Sequence, residues 1–290
     1  MKKLTALLLC ILLLAGCAAP NLYDGPTKSA WVLTEQVTTT YSIDAGMVWT
    51  DRWTYSYDSF GNQIHSCGYS DGDLEVEYKR DYDAQGNLTS SETWDHTGLI
   101  SFPRARTGYT YDDQNRLLTV TSRNFLGIKT NVSTYVYDDE AGTVSFDGEY
   151  DTQTQWLNEN GDPLRTVNHS NVGGGDTETV YEYDELGRNT KMTMYQNGSL
   201  SLTITLVYDS QDRIVEETFY DAEGVITSRS THHYEESTIT SYDLNRVKTV
   251  QTLRPDGQVE TAEQFNKMGH LTKQTQYIYQ EIQVPADREE

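Results

Sequence analysis

The chain has 290 residues, with 22 Lys and Arg set against 44 Asp and Glu, for a formal net charge of −22. So acidic a balance argues against DNA, RNA or an anionic lipid surface as partner, because each needs a basic footprint. Length alone suggests about two ordinary domains.

Lys2 and Lys3 open the chain, and an apolar run from Leu4 to Leu14 follows, too short for a stable transmembrane helix of roughly 20 residues. The run ends in Leu14-Ala15-Gly16-Cys17, which is similar to the lipobox of bacterial lipoproteins. The resemblance implies a signal peptide over residues 1–16, cleavage between Gly16 and Cys17, and a diacylglyceryl thioether on Cys17. Partnership with a membrane would run through that lipid, at the extracytoplasmic face of the cell envelope. An ordinary secretory signal with Cys17 incidental, or an internal apolar strand, is the alternative. Each buried methylene adds about 0.8 kcal/mol, so two or three acyl chains hold firmly where one does not. Ala18-Ala19-Pro20-Asn21 contains no acid, which in a Gram-negative host implies no retention at the inner membrane. Loss of residues 1–16, with two lysines and no acid, takes the charge from −22 to −24. Residues 17–29 read as a lipidated tether and 284–290 as a frayed tail.

Of three cysteines, Cys10 leaves with the signal and Cys17 takes the lipid, so only Cys67 remains and no intramolecular disulfide can form. Cys67 reads as a small buried apolar residue.

From residue 30 to 283 no segment keeps a 3.6-residue apolar period, whereas period-two runs are frequent. Trp53, Tyr55 and Tyr57 alternate with Thr54 and Ser56; Leu202, Ile204, Leu206 and Tyr208 alternate with Thr203, Thr205 and Val207. Such runs are strands with one distinct face. Turn chemistry ends them at Tyr57-Asp58, Tyr82-Asp83, Tyr111-Asp112, Tyr137-Asp138, Leu157-Asn158, Tyr183-Asp184, Tyr208-Asp209, Tyr234-Glu235 and Leu253, mostly with a Gly three or four residues on. A second turn lies between each pair, so one unit is strand, turn, strand, turn over about 25 residues. The steps at 137–157 and 234–253 are short, and positions 111, 137 and 157 map onto 208, 234 and 253 with offsets of 97, 97 and 96. This spacing suggests duplicated blocks over about 57–156 and 157–252.

The Tyr-Asp turns resemble the YD repeats of the RHS family, over roughly Thr54 to Tyr279. The match is good at Tyr57, Tyr82 and Tyr183 and degenerate at Leu157, Tyr234 and Leu253. The resemblance implies an all-β fold, a long antiparallel meander of about twenty short strands in a curved or spirally coiled sheet. A closed propeller-like ring or a sandwich is the alternative.

Candidate chemistry is sparse. Asn158–Asp162 and Asp71–Asp73 are the densest polar clusters, but neither has the terminal bidentate Glu of a calcium loop. His232 and His233 point to opposite faces of a strand. His65 and Cys67 share a face, but sequence completes no metal site around them. Gly173-Gly174-Gly175 reads as a loose hairpin loop. No cofactor or metal is expected, and no nucleophile elbow, phosphate loop or HExxH is present. These features point to a non-enzymatic, lipid-anchored repeat scaffold with a glycan or protein ligand. A polymer hydrolase, or an accessory or immunity protein of an RHS-type system, is the alternative. Substituting Cys17→Ala should leave an unprocessed precursor and release the mature domain from membranes. Normal maturation with retained membrane attachment contradicts the lipobox reading, and intact mass should show an acylated glyceryl group on residue 17.

Overall fold

The computed structural model describes residues 27–42, 46–98 and 100–286. The signal, Cys17 and most of the tether therefore lie outside the described residues, as do the last four residues of the tail. The described residues form twenty β-strands and no helix. The first ten are β1 (Thr27–Ser42), β2 (Met47–Tyr57), β3 (Gln63–Ser70), β4 (Asp73–Tyr82), β5 (Leu88–Asp95), β6 (Phe102–Tyr111), β7 (Leu117–Asn124), β8 (Lys129–Asp138), β9 (Thr143–Asp147) and β10 (Asp151–Leu157). The rest are β11 (Pro163–Ser170), β12 (Thr177–Tyr183), β13 (Asn189–Gln196), β14 (Ser199–Tyr208), β15 (Ile214–Asp221), β16 (Ile226–Tyr234), β17 (Thr238–Asp243), β18 (Lys248–Leu253), β19 (Val259–Phe265) and β20 (Leu271–Pro285).

Each strand pairs antiparallel with the next. The meander does not stay open or spiral, as the repeat pattern suggests it should. Instead β20 pairs back onto β1, from Thr27↔Pro285 to Thr40↔Lys273, and closes a barrel. The closing strands are the two longest, at 16 and 15 residues. They recruit both ends of the chain: Thr27, Lys28 and Ser29, read above as tether, belong to β1, and Val284 and Pro285, read as tail, belong to β20. Closure removes the two open edges that a twenty-strand sheet would otherwise expose.

Apolar burial is slight. Among the described residues Cys67, Val284 and Pro285 are the buried apolar side chains, and the most enclosed side chain of all is Thr218. One face is nonetheless the more sheltered. On β4, Leu74, Val76, Tyr78, Arg80 and Tyr82 are half-buried, while Asp73, Glu75, Lys79 and Asp81 on the other face are exposed. The repeat tyrosines occupy the sheltered face.

A local irregularity explains why those residues are tyrosines. At each of Tyr57, Tyr82, Tyr111, Leu157, Tyr183, Tyr208 and Leu253 the register with the next strand slips by one residue, so that Tyr57 pairs with Gln63 although Ser56 pairs with His65. A bulge of this kind leaves one residue of the following strand unpaired and disrupts the ladder beside it. The tyrosine of the following unit supplies a donor: Tyr82 Oη donates to Gln63 O, Tyr111 to Leu88 O, Tyr137 to Leu117 O, Tyr183 to Pro163 O, Tyr208 to Asn189 O, Tyr234 to Ile214 O and Tyr279 to Val259 O, all at 2.7–3.1 Å. Tyr57 does the same to Leu33 O beside the bulge in β1.

The exceptions follow the same rule. Tyr137↔Val144 and Tyr234↔Ile239 pair without a slip, and the next unit in each case carries Leu157 or Leu253, which has no hydroxyl. Their backbone N–H groups instead donate to Gly142 O and Ser237 O across the tight loop. The short units contain β9 and β17, of five and six residues, which lie eight strands apart.

Tyr208→Phe should therefore cost about 1 kcal/mol in chemical denaturation, the net contribution of one hydrogen bond with its acceptor left half-buried. Leu157→Tyr should bring no matching gain, because no bulge carbonyl awaits it. Equal and opposite effects at the two positions contradict the coupling between bulge and tyrosine.

Candidate functional site

All Tyr-Asp turns lie on one rim of the barrel, because each joins an even-numbered strand to the odd-numbered one after it. At Asp58, Asp83, Asp112, Asp184 and Asp209, one carboxylate oxygen accepts the N–H groups two and four residues on. The other oxygen takes the side chain of the residue four on, Asn62, Asn87, Arg116, Arg188 or Arg213. Asn158 makes the same turn with Asp162, so the cluster at 158–162 is turn chemistry. Where the repeat has Arg, its guanidinium also lies over the next unit's ring: Arg116 over Tyr137 at 4.4 Å, Arg188 over Tyr208 at 4.8 Å and Arg213 over Tyr234 at 4.3 Å. Arg254 covers Trp31 at 4.3 Å and Tyr279 at 4.9 Å, which ties the last repeat to the first strand. Arg116 and Arg188 reach on to Asp139 and Asp212. This rim is acidic and internally cross-linked.

The opposite rim has a different character. It gathers exposed apolar side chains at or beside five of its turns: Met47 (60% exposed), Phe125 (58%), Leu126 (66%), Val172 (69%), Val225 (59%) and Met268 (68%). Lys129, Arg246 and Lys267 stand among them. The Tyr-Asp rim has one comparable tip, Leu186. At Asp71-Gly72 a two-residue turn with φ of 48° and 97° closes the β3–β4 hairpin, and Asp71 Oδ1 accepts Thr50 N–H, so this cluster too is structural. In the loop with three glycines, Gly175 takes a φ of 78°, a conformation that favours glycine, and a Cβ there would meet the Asn197 side chain.

Among the described residues, a cluster on the exposed face of β3 and β4 is the one gathering of side chains that could hold a metal ion. His65 and Cys67 share the face as expected, with His65 Nε2 3.6 Å from Cys67 Sγ. Glu77 joins them, its Oε1 2.7 Å from His65 Nε2, and its Oε2 is 3.2 Å from His96 Nε2. Ser101 Oγ lies 2.7 Å from His96 Nδ1, and Lys79 Nζ lies 3.2 Å from Glu77 Oε1. Cys67 is buried beneath these neighbours, on the most enclosed strand of the sheet. Contact with Cys67, against an opposing contribution from burial, and then with Glu77 holds the His65 imidazole above its usual pKa. Burial pushes the Glu77 carboxyl up, but hydrogen bonds from His65, Lys79 and His96 outweigh it and hold it below the usual range.

Sequence reasoning does not find Glu77. A regular hairpin closed at Asp71-Gly72 would set Val76 against Cys67. A slip between Gly68 and Tyr69 inserts Glu75 and brings Glu77 opposite Cys67 instead. His232 and His233 remain apart, paired with Ser241 and Thr240 respectively.

Neither face carries the unbroken apolar band of a bilayer-spanning barrel: β15 has Glu216 on one face and Glu217 and Asp221 on the other. No helix of the described residues is long and apolar enough to cross a membrane.

The RHS Repeat family model matches residues 82–124, from the turn at Tyr82 through β7. No curated protein matches the chain. Among solved structures, a porin-like protein from Bacteroides uniformis is similar at 12% identity and a TM-score of 0.40, covering 89% of this chain and 100% of that one. A porin-like protein from Bacteroides vulgatus matches at 12% identity and 0.32, with 65% and 97% covered. A Bacteroides fragilis protein of unknown function matches at 13% and 0.17, with 52% and 86% covered. Likeness of this degree carries nothing about function to the present chain.

The turn carboxylates make stability pH-dependent. The Arg188 and Arg213 guanidiniums hold Asp184 and Asp209 below the ordinary range. At Asp83 and Asp112 partial desolvation pushes upward, and the turn hydrogen bonds outweigh it. Carboxyls lowered in the folded state make the unfolded chain the better proton acceptor, so their contribution is present at neutral pH and is lost as pH falls below about 4. Thermal melting followed from pH 6 to pH 3 should show that loss. Asp184→Asn, which keeps the turn as Asn158 does, should flatten the acid limb, and an unchanged profile contradicts the assignment.

Proposed function

We propose that this chain is a non-enzymatic, lipid-anchored envelope scaffold that presents its apolar-tipped rim to a protein partner. The observation that carries the reading is the gathering of exposed Met47, Phe125, Leu126, Val172, Val225 and Met268 on one rim, where the Tyr-Asp rim has only Leu186 at a comparable tip. Soluble proteins rarely leave large apolar residues gathered in this way unless something covers them. Turn tips on rigid strands are also where binding residues concentrate.

Chain geometry supports a partner over the anchoring bilayer. Cys17 stands ten residues before Thr27, which even fully extended span at most about 36 Å. From Thr27, β1 runs its 16 residues, about 53 Å along the strand, past the Tyr-Asp rim to the apolar one. A lipid on Cys17 therefore keeps the acidic end near the membrane and turns the apolar rim outward. The protein's net negative charge disfavours an anionic surface in any case. A protein partner fits the mix of aliphatic and aromatic tips interspersed with Lys129, Arg246 and Lys267 better than a glycan, which favours aromatic platforms with dense hydrogen-bonding groups.

A photoreactive residue placed in cells at Leu126 should cross-link to one discrete protein, and the same residue at Leu186 on the other rim should not. Phe125→Ser together with Met268→Ser should abolish the Leu126 product while the melting curve is kept. Identical products from both rims, a product with a second copy of this chain, or persistence in the double variant overturns the reading.

A further inference from the structure

We propose that His65, Cys67 and Glu77 form a binding site for a zinc-type divalent metal ion, with His96 positioning Glu77. One ligand atom from each of the three lies within 4.8 Å of the other two. In a tetrahedral site with bonds of about 2.0–2.3 Å, ligand atoms stand about 3.3–3.6 Å apart. The 3.6 Å between Cys67 Sγ and His65 Nε2 already meets that spacing. The 2.7 Å between His65 Nε2 and Glu77 Oε1 is a hydrogen bond that opens by a small rotation of the Glu77 carboxylate when an ion enters. Thiolate, imidazole and carboxylate together neutralise a divalent charge, and three protein ligands leave the fourth position of a tetrahedral ion to water. The thiol proton passes to solvent on binding.

The ring supplies its own reference for what these positions hold elsewhere. The lattice sites of His65, Cys67 and Glu77 correspond to Arg165, Val167 and Glu178 in one repeat, and to Glu216, Thr218 and Arg229 in another, by strand register. Both of those repeats hold a diagonal ion pair across a small side chain: Arg165 with Glu178, and Glu216 with Arg229. At β3–β4 the guanidinium gives way to an imidazole and the filler to a thiol, so that all three positions become metal ligands. The surroundings fit as well. Ser101 faces His96 Nδ1 and leaves Nε2 turned to Glu77, the kind of outer contact that orients a ligating carboxylate. Lys79 also touches Glu77, but its ammonium lies 5.1 Å over the Trp94 ring and half exposed, where it can remain once Glu77 turns to the ion.

The test is titration of the purified full chain in detergent with Co²⁺, followed by displacement with Zn²⁺. Binding should produce a thiolate-to-cobalt charge-transfer band in the near ultraviolet and ligand-field bands of a tetrahedral ion in the visible. Cys67→Ser should lose the charge-transfer band; Thr218 shows that a hydroxyl side chain is accommodated at the equivalent place. His65→Arg recreates the Arg165–Glu178 pair, so it should fold at least as well as the parent and bind no cobalt. His96→Ala should weaken binding about 10–100-fold. A control, Asp176→Asn at the exposed His169–Asp176 pair, should change nothing. The absence of a charge-transfer band in the parent, its persistence in Cys67→Ser, or undiminished binding in folded His65→Arg overturns the proposal.

Discussion

A carbonyl that the ladder cannot satisfy organises this barrel. Wherever a Tyr-Asp turn ends in a bulge, the ladder beside it is disrupted, and a half-buried backbone acceptor left unpaired there is costly. The next unit's tyrosine reaches back about twenty residues to close it. The hydroxyl is useful only beside a bulge, and the two units that follow a regular pairing carry leucine. Turn, bulge and tyrosine are thus one device, repeated around the ring, and the arginine that locks a turn stacks on the ring of the next.

This device takes the place of a conventional core. With only Cys67, Val284 and Pro285 buried among its described apolar residues, the protein draws its stability from ladder hydrogen bonds, tyrosine hydroxyls, cation–π contacts and half-buried aliphatic pairs. Each contribution is small and is made between neighbouring strands, so stability accumulates along the chain as in a repeat protein. Closure adds the last neighbour. Arg254 against Trp31 and Tyr279, Gln258 against Trp31 O, and the Thr38–Thr275 hydroxyl pair join the final repeats to the first strand.

The same economy leaves room for function on surfaces the repeat does not use. The Tyr-Asp rim spends its carboxylates and guanidiniums on its own turns. The opposite rim makes the same turns at Asn124, Asp221 and Asn266, but several of its tips carry exposed Phe, Leu, Val, Met or Tyr. Likewise the exposed face of the sheet tolerates several residue sets at one lattice position, an ion pair in two repeats and a His–Cys–Glu cluster in a third. A frame fixed by backbone chemistry can carry different side-chain chemistry at equivalent places.

Much of this was legible in the chain. Period-two alternation gave strands, Asx-Gly spacing gave the turns, and together they gave twenty strands in an antiparallel meander, because both signals are local and depend on backbone preferences of a few residues. The short units at 137–157 and 234–253 were visible as spacing, and Leu157 and Leu253 as departures from tyrosine, although the reason for those leucines was not. Closure of the ring was decided elsewhere, by pairing between residues some 250 apart, and no local pattern distinguishes a strand that ends a sheet from one that completes it. The meeting of Glu77 with Cys67 turned on a one-residue slip in a hairpin that reads as regular. The contrast between the rims appeared only when alternate turns were assigned to opposite ends of a closed barrel. Sequence determined what each segment is, since that follows from torsions and nearest neighbours; tertiary structure decided which segments meet, since that depends on register and closure summed over the whole chain.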